Sequence, residues 1–271
     1  MADGALNLIW FRADCGIVQG EHEGEVGLRL RCPFVLGLTG YVNSLRRTTI
    51  PIDDTGIFTV AIGLNFIFFI VIMSIIKENL LRVKERIEKA ARKAGRDPDT
   101  IKLVAVSKTV EVARIKEAIE AGVSILGENY VQEAQKKIEV IGRPISWHFI
   151  GHLQSNKAKY AIRLFDVIHS LDSLPLAEEL NRRSEQADRV INVMIEVNLA
   201  KEATKFGADE EMVLNLAKRI QHLKHLSLEG LMTMPPYFDS PEMSRPYYIA
   251  LRELREKMNR EGIPTRELSM G

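Results

Sequence analysis

From Ile101 onward, the chain alternates short β-rich runs with amphipathic helical stretches. Seven such runs can be counted, at residues 101–106, 123–127, 145–150, 166–170, 190–198, 226–233 and 265–270. Between the first two runs, Val112, Ile115 and Ile119 share one face of a helix. Parallel strands need a crossover connection, and helices usually supply it. The pattern therefore predicts an α/β fold with a parallel sheet and helices outside it.

Seven strands preceded by a helix fit a (β/α)8 TIM-type barrel that lacks its last βα unit. The alternative, an open doubly wound sheet, usually carries a glycine-rich dinucleotide turn after its first strand. Here the first run is followed by SKTVEV, which has no such glycines. We therefore expect an incomplete barrel over residues 73–271, introduced by a helix that Ser74 caps and Gly95 ends.

Residues 1–72 do not follow this pattern and form a separate N-terminal extension. The stretch 56–76 contains no charged residue and is long enough for a membrane-spanning helix. Lys77 and Arg82 follow it, and the positive-inside rule would keep the downstream part in the cytoplasm. Three interpretations stay open: a membrane tether, an extra packed element, or an upstream extension outside the working protein, which Met73 as a start would favour.

The charge balance argues against a nucleic-acid partner. Lys and Arg number 37 against 36 Asp and Glu, so no basic excess marks the chain, and a small-molecule partner is expected. Cys15 and Cys32 lack metal-type spacing, and the absence of later cysteines suits an intracellular, cytoplasmic domain. Walker, G-x-S-x-G and H-E-x-x-H motifs are missing, which weakens nucleotide hydrolase, serine esterase and zinc protease hypotheses.

Lys108 follows the first β-rich run, 101–106. In a parallel barrel the functional site lies at the carboxyl ends of the strands. A lysine there, between apolar walls, can lose ammonium character through desolvation and become a nucleophile toward aldehydes. The alternative is a surface lysine that reaches into solvent, and position alone favours it.

Polar residues follow other strands as well. Asn129 could hydrogen-bond a ligand or cap the next helix, and position alone favours the cap. His148 and His152 are expected to line a polar pocket or to be structural histidines, since no further ligand-type residues join them as a metal site. Asp172 can begin the following helix, and Lys205 is either a second amine at the rim or a solvated side chain.

Six segments, LVAVSKT, GENYVQEAQKK, WHFIGHLQSNK, IHSLDS, GLMTMPPY and ELSMG, together resemble the pyridoxal phosphate homeostasis protein family. Its members are single domains shaped like the barrel half of alanine racemase. The resemblance runs from about Met73 to Gly271 and does not cover residues 1–72. It implies a pyridoxal 5'-phosphate-binding protein that regulates cofactor supply inside the cell and carries no catalytic residues. We expect a monomer or weak dimer.

The resemblance also implies roles for individual residues. Lys108 is the expected Schiff-base lysine, and Asn129 matches a position beside the cofactor. Ser269 matches the start of the phosphate-binding region, and Met270 and Gly271 continue it. His148 lies in a family motif and is added to the expected cofactor-binding residues.

The chain departs from the family after its ELSMG segment. Members of the family continue with a stretch of the form MSxD, a helix and a last strand, and the phosphate in such barrels is held by the loops after the last two strands. We therefore expect exposed strand edges and weakened cofactor binding. Two other functions stay open: a pyridoxal phosphate-dependent racemase, although no second acid/base is evident, and a membrane-tethered scaffold.

Overall fold

The computed structural model describes the backbone of residues 5–9, 56–200 and 207–271, and the side chains of 75–200 and 207–271. Within these ranges the strands are β1 (Ala5–Ile9), β2 (Lys102–Val106), β3 (Ile125–Glu128), β4 (Ser146–Phe149), β5 (Val167–Leu171), β6 (Ile191–Glu196), β7 (Leu226–Thr233) and β8 (Glu267–Met270). The α-helices are α1 (Gly56–Lys93), α2 (Val112–Glu120), α3 (Val131–Ile141), α4 (Ala158–Leu164), α5 (Leu174–Gln186), α6 (Glu210–Ile220) and α7 (Arg245–Arg260).

The strands β2 to β8 are the seven expected from the sequence, and all of them pair in parallel. Each is followed or preceded by a helix on the outside, as the alternating pattern predicts. The TIM-type architecture is therefore confirmed. Strand β7 has the same bounds as its β-rich run, β5 is shifted by one residue, and the other five strands are shorter than their runs by one to three residues.

The position between β8 and β2 is filled by β1, from the N-terminal extension. Leu6 pairs with Lys102 on one side and with Ser269 on the other, both in parallel. The sheet is a closed barrel in which neighbouring strands follow in chain order. The sequence predicts exposed strand edges at β2 and β8, and this prediction is wrong because β1 pairs with both strands.

Helix α1 runs without a break from Gly56 to Lys93, so Ser74 is not the cap that the sequence predicts. From residue 75 on, Leu80, Val83 and Ala91 are buried and charged residues lie outside. Most of the possible membrane segment 56–76 lies before residue 75, where the structure describes the backbone but not the side chains. Among the residues that are fully described, no helix is long and apolar enough to cross a bilayer.

The apolar core has two parts, one on each face of the barrel sheet. The larger packs strands against the outer helices, and Phe149 meets Phe165 with ring centroids 5.0 Å apart. The smaller lies inside the barrel and contains Val104, Met194 and Met232. Because side chains alternate along a strand, the residues between the outward apolar ones point into the barrel. This alternation places polar side chains of β4, β5 and β8 inside.

Candidate functional site

The turn after β2 holds Lys108 at the carboxyl-end mouth of the barrel. Ser107 N–H donates to Gly127 O at 2.9 Å, and Val110 N–H donates to Ser107 O at 3.0 Å, which closes a tight turn around the lysine. Thr109 adopts φ 60°, a left-handed conformation uncommon for threonine. The side chain of Lys108 is half-buried. The predicted position at the mouth is what the structure shows.

Desolvation lowers the pKa of Lys108 below its ordinary value, and the nearby Glu128 carboxylate opposes this effect. A lower pKa means that more of the amine is unprotonated at neutral pH, and only that form is nucleophilic. The electrostatic environment therefore suits a lysine that reacts with carbonyl compounds.

Asn129 lies directly after β3, next to this turn. The cap of α3 is Tyr130, so Asn129 does not cap that helix, contrary to what position alone favoured. A Cβ on Gly151 would lie 2.4 Å from Asn129 O, so the loops after β3 and β4 touch, and only glycine fits there. The Oδ1 atom of Asn129 is buried without a hydrogen-bond partner among the described residues. That oxygen can accept a hydrogen bond from a ligand.

A chain of hydrogen bonds crosses the inside of the barrel. His148 Nδ1 lies 2.9 Å from His169 Nε2, and His169 Nδ1 lies 3.0 Å from Ser269 Oγ. All three residues are buried. His148 Nε2 is also 3.1 Å from Ser146 Oγ. The structure thus brings His148 and Ser269 together through His169, and places His148 within the barrel.

Burial favours the neutral form of both hydrogen-bonded histidines, His148 and His169, at pH 7. Burial lowers the pKa of His148 to about 4, and Lys102 lowers it further while Asp166 opposes the shift. Burial, followed by repulsion from His148, puts the pKa of His169 well below its ordinary value. Each ring therefore carries one N–H, and the pair acts as a hydrogen-bonding support for Ser269.

Further titratable groups lie at the carboxyl-end mouth. His152 Nδ1 is 3.7 Å from Asp172 Oδ2, a pairing that the sequence did not predict. The sequence did not identify Glu196, the last residue of β6, as a candidate site residue. Burial, and then the negative charge of Asp172, raises the pKa of Glu196 to about 7. The signal available in the sequence was a carboxylate directly after the apolar residues Val193, Met194 and Ile195. Lys205 lies outside the described residues.

Met270 and Gly271 come at the carboxyl end of β8. Gly271 N–H donates to Thr233 O at 3.4 Å, and Tyr248 Oη donates to Gly271 O. A Cβ on Gly271 would come 2.8 Å from Met234 Sδ. Tyr248, on α7, was not expected from the sequence because its contact depends on how that helix folds back onto the mouth.

A cavity of about 280 Å³ opens at the opposite end of the barrel, where the strands begin. Lys102, Ser146 and Asp166 are among its lining residues. Lys102 Nζ forms a salt bridge with Glu267 Oε1 there, at 2.8 Å. We place the functional site at the carboxyl-end mouth instead, because the half-buried lysine and the unpartnered amide oxygen lie there.

Comparison with known proteins gives consistent matches to the barrel. The family model described as alanine racemase, N-terminal domain, matches residues 79–271. The pyridoxal phosphate homeostasis protein of Aquifex aeolicus is 44% identical over 196 residues, which cover 72% of this chain and 86% of that protein. The matched region contains every strand from β2 to β8.

Two solved structures are similar. An unknown protein from Bifidobacterium adolescentis has a TM-score of 0.68 and 29% identity, and the match covers 74% of this chain and 94% of that one. PipY of Synechococcus elongatus, solved with pyridoxal phosphate bound, has a TM-score of 0.58 and 27% identity, with 68% and 97% covered. Both cover nearly all of the compared chain.

Proposed function

Because this chain belongs to the pyridoxal phosphate homeostasis protein family, within the alanine racemase N-terminal domain family, we propose that it binds pyridoxal 5'-phosphate and helps to regulate its supply. The solved structure of PipY with that cofactor bound supports the ligand. The proposed role is binding and release, in accord with the names of the curated relatives.

The observation that carries the proposal is the half-buried Lys108 at the carboxyl-end mouth, whose pKa desolvation lowers. Pyridoxal phosphate carries an aldehyde, and an unprotonated amine condenses with an aldehyde to a Schiff base with loss of one water. Lys108 is the proposed anchor for the cofactor. A covalent but reversible link of this kind suits a protein that must hold the cofactor and give it up.

The other residues of the mouth fit a polar ligand. The unpartnered Oδ1 of Asn129 would accept a hydrogen bond from the cofactor, and Met270 and Gly271, at the carboxyl end of β8, would lie near its phosphate. Ser269 would contribute to the same region. We assign His148 an indirect role, since it reaches Ser269 only through His169.

A racemase-like enzyme is the second candidate. The specific observation in its favour is Glu196, whose pKa of about 7 suits an acid/base group at the same mouth. Interconversion of D- and L-alanine by the purified protein, lost in Lys108→Ala, would establish it.

We further propose a cytoplasmic monomer or weak dimer with no nucleic-acid partner. The nearly balanced charge and the absence of cysteine after Cys32 support this part of the proposal. Sedimentation of the purified full chain at several concentrations measures the oligomeric state, and a stable larger assembly would contradict it.

The test of the cofactor is chemical trapping. The full chain is mixed with pyridoxal phosphate and reduced with borohydride, and the peptides are mapped by mass spectrometry. We expect the pyridoxyl group on Lys108 and its loss in Lys108→Ala, because desolvation lowers the pKa of this amine at the mouth. Label on another lysine, or no label at all, would refute the assignment.

A further inference from the structure

Three ionisable residues of the GENYVQEAQKK segment lie beside the turn that carries Lys108. The side chain of Glu128 is 0% exposed and that of Lys137 is 6% exposed, while Glu133 retains 27%. Removing charged groups from water is costly unless each is paired and hydrogen-bonded. Their contacts therefore decide what this cluster does.

Lys137, on α3, makes three hydrogen bonds. Its Nζ donates to Ser107 O at 2.5 Å, to Glu128 Oε1 at 2.7 Å and to Glu133 Oε1 at 2.6 Å. An ammonium has three donors, so these contacts use all of them. The lysine thereby joins α3 and the end of β3 to the backbone immediately before Lys108.

The two carboxylates hold the turn from both sides of Lys108. Ser107 Oγ donates to Glu128 Oε1 at 2.6 Å, and the backbone N–H of Thr109 donates to Glu133 Oε1 at 2.6 Å. Thr109 is in the left-handed conformation, which persists only where surrounding contacts impose it. The same ion cluster thus fixes the residue before the reactive lysine and the residue after it.

We propose that Glu128, Glu133 and Lys137 are positioning residues for Lys108, which hold the 107–109 turn in shape and set the charge around its amine. The inference rests on the proposed function, in which that amine reacts with an aldehyde. Holding a reacting group in place removes part of the entropic cost of its reaction. Loosening the turn should therefore slow the reaction even where the fold survives.

The charge effect has a defined direction. Among the residues that the structure describes, the charged groups that hydrogen-bond to the turn are Glu128 from β3, and Glu133 and Lys137 from α3. Burial lowers the pKa of Lys108 and the Glu128 carboxylate raises it. Glu128→Gln removes the opposing charge and leaves the Lys137 cation nearby. The pKa of Lys108 should then fall further.

The first experiment measures the rate at which the full chain forms the Schiff base with pyridoxal phosphate, by stopped-flow absorbance. In Glu133→Ala, the Thr109 N–H loses its acceptor, and we expect a rate about tenfold lower, the size typical of one charge-assisted hydrogen bond. Glu133→Gln keeps an acceptor oxygen and should react nearly as fast as the unaltered chain. Gln135→Ala, on the exposed face of the same helix, is the matched control. Equal rates in Glu133→Ala and Gln135→Ala would overturn the proposal.

The second experiment needs no cofactor. The protein is labelled with ¹³C-lysine, which leaves all three N–H donors of Lys137 in place, and the Lys108 ¹³Cε resonance, assigned by its loss in Lys108→Arg, is titrated by NMR in the full chain and in Glu128→Gln. We expect the midpoint of the variant at lower pH, and an unchanged or higher midpoint would overturn the charge part of the proposal. Failure to trap cofactor on the unaltered chain, with the expected Lys108 titration, would refute the proposed function alone.

Discussion

At the residue scale, the barrel interior is distinguished by polar groups where apolar residues normally pack. His169 is hydrogen-bonded to His148 on one side and to Ser269 on the other, and all three residues are buried. Burial keeps both rings neutral, because charging either one in the interior would leave a cation without water around it. Each neutral ring offers one N–H donor and one acceptor nitrogen for these contacts.

This neutrality predicts a loss of stability in mild acid. The pKa of His148 is about 4 in the folded chain and about 6.5 when unfolded, so in that window the unfolded chain binds more protons and the free energy of unfolding falls as pH drops. For each buried histidine, the free energy of unfolding falls by at most about 1.4 kcal/mol per pH unit. Urea unfolding between about pH 7 and about pH 5 measures it. The fall in the free energy of unfolding per pH unit should be smaller in His148→Gln. It should be unchanged in His222→Gln, since His222 is exposed.

At the element scale, the loops after β3 and β4 approach each other so closely that one position tolerates only glycine. A Cβ at Gly151 would lie 2.4 Å from Asn129 O and 2.7 Å from Asn129 Cα. Both are backbone atoms, which cannot turn away as a flexible side chain can. This contact fixes where Asn129 presents its amide at the mouth.

Gly151→Ala should therefore damage stability and binding together. The backbone must shift to admit the methyl group, at a cost of about 1–3 kcal/mol in the free energy of unfolding. Thermal unfolding and a pyridoxal phosphate titration on the same preparation measure both effects. A variant with unaltered stability and affinity would show that the two loops are not held in contact.

At the scale of the whole molecule, the barrel joins segments far apart in the chain. Strand β1 lies between β2 and β8, with Asn7 paired to Leu103 on one side and to Met270 on the other. Closure satisfies backbone groups that an open sheet would leave at its edges. The site at the mouth lies at the ends of strands that this closure joins.

Asn7→Pro should weaken the closure, because proline removes a backbone donor from a strand with a neighbour on each side. Proline removes a ladder hydrogen bond, and the acceptor left without a partner costs about 1–3 kcal/mol. We expect faster hydrogen–deuterium exchange in β2 and β8, and less change in Asn7→Thr, which keeps its N–H. Unaltered exchange in the proline variant would mean that β1 does not protect those strands.

The sequence by itself determined the parallel α/β barrel and the position of Lys108 at its mouth. Both follow from local information: the alternation of β-rich and amphipathic runs, and the rule that parallel strands end at one face. The family resemblance then singled out Asn129 and Ser269 for the cofactor.

Only the tertiary structure decided which side chains meet. The bonds from Lys137 to Ser107 and from His169 to Ser269 join residues on different elements, and no local pattern encodes such pairings. The same holds for β1, whose apolar run becomes a barrel strand only because β2 and β8 present unpaired backbone groups to it. Local preference fixes elements, whereas burial and hydrogen-bond satisfaction between distant segments fix the site.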